Sequence, residues 1–215
     1  MKIDRIEWWE VNQFVHQEMV NSPEYAASHE RWDLVPKFIL RLHTDEGHYG
    51  VGETSRGAQR SDIELAARQL LGVDPRRVSL RRLPIDEMPA ATAKGFEVGL
   101  FDLIGRIRDM SVSALLGGPC RDHVVSSYWA GLQTPEHSVV AAAAARDGGY
   151  SCLKFKITQG MPVIERLQRM LEVAPDLRFI VDAMQRYDDF GQMQDLVRQM
   201  ADLNVVCLED QFPRD

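Results

Sequence analysis

The second half of the sequence alternates short apolar segments with amphipathic ones, and the apolar segments begin about every 26 to 28 residues. This alternation is typical of βα units whose strands run parallel in one sheet. The spacing suits a (β/α)8-type barrel, in which one unit takes about 31 residues. A doubly wound open sheet has a similar spacing, and the pattern alone leaves both architectures open. The predicted strands are Val124–Trp129, Ser151–Ile157, Leu177–Asp182 and Val205–Glu209, and the predicted helices are Glu136–Arg146, Pro162–Val173 and Phe190–Leu203.

The first half has a different order, in which strands come first and helices follow. Glycine and proline at 117–119 separate it from the periodic half. We therefore expect an α/β protein with a small α+β domain at residues 1–118 and an α/β domain at residues 119–215. The predicted strands of the first domain are Lys2–Phe14, Phe38–His43 and Tyr49–Glu53, and its predicted helices are Ser61–Leu71 and Lys94–Asp109.

Composition excludes several classes of protein. The net charge of −7 argues against binding to nucleic acid or to anionic lipid. The longest apolar run, Val139–Ala145, is far too short to cross a bilayer. The N-terminus lacks the apolar stretch of a signal peptide, and three widely spaced cysteines form no disulfide framework. We therefore expect a cytoplasmic protein with no membrane or nucleic-acid partner.

Ionisable side chains lie at the ends of three successive predicted strands. Lys154 and Lys156 share one face of their strand, because strand side chains alternate. From Lys156 to Asp182 is 26 residues and from Asp182 to Glu209 is 27, which predicts matching heights at the carboxyl ends of the strands. Two carboxylates there suit a hard cation such as Mg²⁺, and two neighbouring ammonium groups lower each other's pKa. The simpler alternative is a structural salt bridge between one lysine and Asp182.

The motifs resemble those of the enolase superfamily, in its mandelate racemase/muconate lactonizing branch. The similarity runs in order along the whole chain. It implies an N-terminal capping domain followed by the first half of a (β/α)8-type barrel. The motifs are Gly50–Glu53, Phe96–Gly105, Ala114–Pro119, Lys154-Phe155-Lys156, Val181-Asp182-Ala183 and Leu208-Glu209-Asp210.

The resemblance also implies a reaction. Mg²⁺, held by Asp182 and Glu209, would bind a substrate carboxylate, and Lys156 would remove the proton on the adjacent carbon to give an enediolate. Lys154 would tune the pKa of Lys156 and contact the carboxylate. The expected enzyme is a racemase or epimerase, a cycloisomerase or an acid-sugar dehydratase. Its substrate would be a small hydroxy acid, acid sugar or amino-acid derivative, and we expect a homo-oligomer.

A long polar and aromatic stretch, Val15–Pro36, separates the first two predicted strands. In the family, a loop at this place closes over the barrel mouth and helps to choose the substrate. The alternative is an ordinary surface loop. The candidate substrate-contacting residues are His16, Tyr25, His29, Arg31 and Trp32.

The sequence also departs from the family pattern. Met184 and Gln211 stand where the family usually has Asn and Pro. The third metal carboxylate and the opposite acid/base group belong on strands beyond Asp215, so we expect the sequence to be part of a longer or interrupted reading frame. One alternative is an incomplete or inactive member of the superfamily that serves as an interaction or structural module. Another is an unrelated open-sheet α/β binding protein.

Overall fold

The computed structural model describes residues 1–26 and 33–214, which divide into two compact units. One unit comprises Met1–Gln13 and Val35–His123, and the other comprises Phe14–Leu34 and Val124–Asp215. The strands are β1 (Ile3–Phe14), β2 (Leu34–Thr44), β3 (Tyr49–Glu53), β4 (Tyr128–Leu132), β5 (Cys152–Lys156), β6 (Arg178–Asp182) and β7 (Val205–Glu209). The α-helices are α1 (Pro23–Ala26), α2 (Arg60–Leu70), α3 (Ala90–Arg108), α4 (Val112–Leu115), α5 (Pro135–Asp147), α6 (Val163–Val173) and α7 (Phe190–Gln199).

The first unit packs α2 and α3 against a three-stranded sheet of order β1-β2-β3, in which β2 and β3 are antiparallel. Its core is formed by apolar residues of the sheet and of the two helices, including Leu40, Leu42, Leu70, Phe96 and Leu100. These positions alternate along β2 and recur three or four residues apart on α3, so each element buries one face.

Glycines allow α3 to lie directly against β3. A Cβ atom added to Gly52 would overlap the carbonyl oxygen of Gly95, and one added to Gly50 would overlap that of Gly99. Both Gly50 and Gly52 lie within β3, whose bounds are those of the strand predicted at Tyr49–Glu53.

The second unit contains a four-stranded parallel sheet of order β4-β5-β6-β7. Sequential order in a parallel sheet is the arrangement expected for successive βα units. Thr134 caps the start of α5, because its hydroxyl accepts a hydrogen bond from His137 N, and Asp189 caps α7 by accepting one from Gln192 N. The core between sheet and helices includes Leu153, Phe155 and Phe179, so one face of β5 and β6 is apolar.

Several element boundaries differ from the sequence-based prediction. Helix α3 begins at Ala90 rather than Lys94, and α7 ends at Gln199 rather than Leu203. Strand β4 begins at Tyr128 rather than Val124, because Val124 and Val125 are exposed and the buried positions are Ala130 to Leu132. Strand β2 extends back to Leu34, into the stretch interpreted as a loop. None of the helices in residues 1–26 and 33–214 is both long enough and apolar enough to cross a membrane.

Candidate active site

The register of the parallel sheet brings the predicted site residues of three strands to one level. Lys156 on β5 is the direct partner of Asp182 on β6, and Asp182 is the direct partner of Glu209 on β7. All three residues end their strands. The equal spacing along the sequence therefore corresponds to adjacency at the carboxyl edge of the sheet, where parallel α/β folds form their sites.

Lys154 bridges both carboxylates. Its ammonium nitrogen lies 2.7 Å from Glu209 Oε1 and 3.3 Å from Asp182 Oδ2. Burial by itself would lower the pKa of Lys154, but the hydrogen bond that its ammonium group donates to Glu209 and the charge of Asp182 outweigh burial and raise that pKa. The expectation of a lowered pKa is therefore wrong for Lys154, because two carboxylates lie within ion-pair distance of its ammonium group. Lys154 is a cation at neutral pH.

Lys156 lies on the same face of β5 as Lys154, while Leu153 and Phe155 are buried in the core on the other face. Its ammonium nitrogen is 5.8 Å from the centre of the Trp129 ring, which comes from the neighbouring strand β4. An aromatic face at this distance attracts a cation. Trp129 is a residue that the sequence analysis did not single out, although it lies in a predicted strand.

Asp182 is the most buried of these carboxylates, with 7% of its surface exposed. Its Oδ1 accepts a hydrogen bond of 2.9 Å from the backbone nitrogen of Met184. Met184 and Gln185 both have left-handed φ angles, of 52° and 60°, which are uncommon outside glycine and asparagine. The turn after β6 thus bends sharply and keeps Asp182 Oδ1 bound to its own main chain.

A third carboxylate, Asp210, joins Asp182 and Glu209. One oxygen from each of the three lies within 4.8 Å of the others. Asp210 also forms an ion pair of 2.9 Å with Arg214, and this hydrogen bond lowers the pKa of Asp210. The sequence analysis missed Asp210 as a candidate ligand, because alternation along an extended strand places consecutive side chains on opposite faces. Its left-handed φ of 47° ends that alternation.

This set of donors fits a hard divalent cation. Carboxylate oxygens are the preferred ligands of Mg²⁺ in proteins, and the three groups come from the ends of two neighbouring strands. Lys154 now neutralises two of them. The same carboxylates can therefore serve a metal ion or an ammonium group.

Of the predicted stretch Val15–Pro36, the described residues up to Leu34 belong to the second unit, and Val35 and Pro36 belong to the first. Asn21 accepts a hydrogen bond from Leu132 N, and Ser22 N donates to Leu132 O, so the segment is bound to the carboxyl end of β4. Among the candidate contact residues, His16 is exposed and Tyr25 packs against the core of the unit. His29, Arg31 and Trp32 lie outside the described residues.

Comparison with known proteins identifies relatives of both halves. Residues 12–117 match the family described as mandelate racemase / muconate lactonizing enzyme, N-terminal domain. A D-galactonate dehydratase of Ralstonia nicotianae is 29% identical over 148 residues, and the match covers 61% of this chain and 38% of that protein. An L-Ala-D/L-Glu epimerase of Escherichia coli is 26% identical over 201 residues, and the match covers 86% of this chain and 62% of that protein.

Solved structures share the fold along nearly the whole chain. A dipeptide epimerase from Enterococcus faecalis, complexed with Mg and the dipeptide L-Leu-L-Tyr, has a TM-score of 0.83 at 20% identity and covers 99% of this chain. The match spans 62% of that structure. A mandelate racemase/muconate lactonizing protein from Herpetosiphon aurantiacus has a TM-score of 0.78 at 19% identity. The α/β architecture with an N-terminal α+β domain and a partial barrel is thus confirmed, and the chain spans between 38% and 62% of the length of these curated relatives.

Proposed function

This chain is a member of the enolase superfamily, with a mandelate racemase / muconate lactonizing enzyme N-terminal domain matched at residues 12–117, and from that premise we propose that it abstracts the proton next to a substrate carboxylate in a Mg²⁺-dependent reaction. The single observation that supports this most is the register of Lys156, Asp182 and Glu209 on adjacent parallel strands. This register brings the proposed base and the two proposed ligand carboxylates together at the edge of the sheet where such sites form.

The metal would be held by Asp182 and Glu209, with Asp210 close enough to add a third carboxylate. When bound, Mg²⁺ would supply charge stabilisation that makes the weak carbon acid beside a carboxylate easier to deprotonate. Asp182 is held by Met184 N and is largely buried, so it keeps one orientation. Glu209 is more exposed, and its carboxylate forms an ion pair with the Lys154 ammonium group.

The two lysines would have different roles. Lys154 stays charged because its pKa is raised by the carboxylates beside it, so it suits the binding of an anionic substrate group. Lys156 ends β5 beside Asp182, its register partner on β6, and its ammonium nitrogen lies 5.8 Å from the centre of the Trp129 ring. We therefore assign the role of base to Lys156 and that of a carboxylate-binding cation to Lys154.

The substrate class follows from the relatives. They include the D-galactonate dehydratase and the L-Ala-D/L-Glu epimerase described above, and an N-succinyl-L-Arg/Lys racemase of Bacillus cereus that is 23% identical over 201 residues. We propose a small carboxylate substrate of these kinds, handled by racemisation or epimerisation, by cycloisomerisation or by elimination of water. The stretch Val15–Pro36, with His16, Tyr25, His29, Arg31 and Trp32, would help to select it.

The remaining expectations are proposals of the same kind. We propose that residues 1–118 form the capping domain and that residues 119–215 form the partial barrel. The protein would act in the cytoplasm as a homo-oligomer. Its free cysteines, Cys120, Cys152 and Cys207, agree with a reducing compartment. Light scattering after size-exclusion chromatography tests the oligomeric state.

The test of the reaction is exchange of a substrate proton with deuterium in D₂O, followed by NMR. L-Ala-L-Glu, an N-succinyl amino acid and D-galactonate are incubated with the protein with and without Mg²⁺. The proposal requires exchange that depends on Mg²⁺ and falls at least about 10³-fold in Lys156→Ala, within the range ascribed to a general base. The exposed Lys94→Ala is the matched control. Exchange that survives Lys156→Ala would contradict the assignment of the base.

A second candidate function is that of an interaction or structural module without activity. Strand β7 forms one edge of the described sheet, Val206 on that strand is 56% exposed, and Phe190 on α7 is 69% exposed. Exposed apolar groups beside the unpaired edge of a strand favour association with another strand. Stable self-association combined with no proton exchange on any of the three substrates would favour this candidate.

A further inference from the structure

Arg166 on α6 is buried in the second unit with 0% of its surface exposed, and it is the largest fully buried side chain among those described. Among the residues that the structure describes, no carboxylate forms an ion pair with it, and its Nη2 has no hydrogen-bond partner. Burial lowers the pKa of Arg166 to about 9, partly opposed by Tyr25, so the group is still charged at neutral pH. A buried charge without a counter-ion is unfavourable for stability, which calls for another reason for its presence.

The guanidinium is held by three contacts. Nη1 donates a 2.9 Å hydrogen bond to the main-chain oxygen of Lys156, and Nε donates one of 2.9 Å to Ser138 Oγ on α5. The guanidinium carbon lies 4.5 Å from the centre of the Phe155 ring. The planar group bonds two acceptors at fixed angles, which neither a lysine nor an apolar side chain can do.

These bonds continue to the segment Phe14–Leu34. Ser138 Oγ donates to the main-chain oxygen of Thr134 at 2.8 Å. Thr134 N in turn donates to Ser22 Oγ at 3.0 Å. A continuous chain of hydrogen bonds therefore runs from the Lys156 carbonyl through Arg166, Ser138 and Thr134 to Ser22.

We propose that Arg166 is a positioning residue that holds the main chain of Lys156 at the end of β5 and links it to the segment containing Ser22. The role assigned to Lys156 rests on the proposed function. The contacts of Arg166 do not, because they involve only main-chain and hydroxyl groups. Fixing the Lys156 carbonyl orients the following peptide, whose Ile157 N donates to Asp182 O at 2.8 Å. Arg166, which reaches β5 from α6, thus helps to fix the distance between the main chains of Lys156 and Asp182.

The test compares Arg166→Met, Arg166→Lys and Ser138→Ala with the parent protein. Arg169→Met, on the same helix but at its surface in an ion pair with Glu136, is the matched control. Amide hydrogen exchange is followed by mass spectrometry in peptides that cover residues 152–157, 17–25 and, as a reference in the same sheet, 178–181. Urea unfolding of each variant measures the change in overall stability.

We expect Arg166→Met to accelerate exchange in residues 152–157 and 17–25 by about tenfold more than in the reference peptide, which reports a local opening. Ser138→Ala should accelerate exchange in residues 17–25 with a smaller effect on 152–157, because Arg166 keeps its bond to the Lys156 carbonyl. Arg166→Lys should restore the urea midpoint more than the protection of residues 152–157. Arg169→Met should leave both peptides unchanged.

Acceleration by the same factor in all core peptides would overturn the proposal, because it would make Arg166 an ordinary core residue. No change in residues 152–157 would overturn it as well. If Arg166→Met does not fold, Arg166→Lys and Ser138→Ala decide between the same outcomes. Substrate deuterium exchange is measured in parallel, where Arg166→Lys should lower kcat about tenfold with KM nearly unchanged. Absence of substrate exchange in the parent protein would count against the proposed function alone, since amide exchange needs no substrate.

Discussion

The ammonium nitrogen of Lys154 on β5 lies 2.7 Å from a carboxylate oxygen of Glu209 on β7, although β6 separates the two strands. The lysine side chain therefore extends across β6 and passes beside Asp182. A cation already occupies the side of the carboxylates that a metal ion would use. Any metal that binds there must compete with Lys154 or share the carboxylates with it.

Substitution of Lys154 by Met should make the protein less stable without metal and more responsive to Mg²⁺. Removal of the ammonium group leaves Asp182 and Glu209 without their counter-ion, at a cost of about 1–3 kcal/mol in the free energy of unfolding. Mg²⁺ then binds without competition and restores more stability than in the parent protein. Thermal unfolding with and without about 10 mM Mg²⁺ measures both effects, because a ligand that binds the folded state raises its stability. An equal Mg²⁺-induced shift in Lys154→Met and in the parent would contradict the competition.

Substitution of Asp182 by Asn should abolish most of the stabilisation by Mg²⁺. Asn keeps the shape of the side chain and an oxygen that can accept from Met184 N, so the turn after β6 persists while the negative charge is lost. We expect the affinity for Mg²⁺ to fall at least about tenfold, which corresponds to about 1.4 kcal/mol. Isothermal titration calorimetry measures this, with the exposed Asp176→Asn as control. Unchanged affinity would remove Asp182 from the proposed ligands.

Substitution of Gly52 by Ala should destabilise the first unit strongly. The added methyl group would overlap the main-chain carbonyl of Gly95, which cannot move aside as a flexible side chain can. The free energy of unfolding should fall by about 3 kcal/mol, near the upper end of the usual cost of overpacking. Urea denaturation followed by circular dichroism tests this. Val51→Ala, at the partly exposed neighbouring position on β3, should cost less than about 1 kcal/mol; equal losses in the two variants would show that α3 can shift.

The contribution of the Asp74–Arg76 pair should disappear in acid. The hydrogen bond from the Arg76 side chain lowers the pKa of Asp74 from its ordinary value of 3.8 to about 2. Because the folded-state value is the lower one, the stabilisation is present above pH 3.8 and is lost as the pH falls through about 2. The difference in unfolding free energy between the parent and Arg76→Gln should therefore shrink from about pH 4 to about pH 2, the range between the unfolded-state and folded-state pKa of Asp74. A difference that stays constant over this range, or one matched by Arg77→Gln, would contradict the pair.

Much of the second unit could be predicted because its signals are local. Strands β5, β6 and β7 are short apolar runs that end in charged residues, and strand period alone places Lys154 and Lys156 on one face. Equal spacing along the chain then gave the correct neighbours across the sheet.

Other parts of the site depend on contacts that have no periodicity. Asp210 lies close to Glu209 and Asp182 because its backbone adopts a left-handed φ. The sequence has no glycine at that position to predict such a turn. Asn21 and Ser22 bind β4 through single polar hydrogen bonds over more than a hundred residues of sequence. Arg166 lies on the buried face of an amphipathic helix, where helical periodicity predicts an apolar residue.

The division of the chain into units has a consequence for how such a protein can be rebuilt. The chain passes from the first unit to the second at Phe14, returns at Val35 and passes again at Val124. A gene segment encoding residues 124–215 alone would therefore carry the candidate lysines and carboxylates but lack the piece that hydrogen-bonds to the end of β4. Recombination at one junction cannot transplant the second unit whole. An exchange between relatives must move two separate stretches together, or the recipient must already supply a compatible Phe14–Leu34.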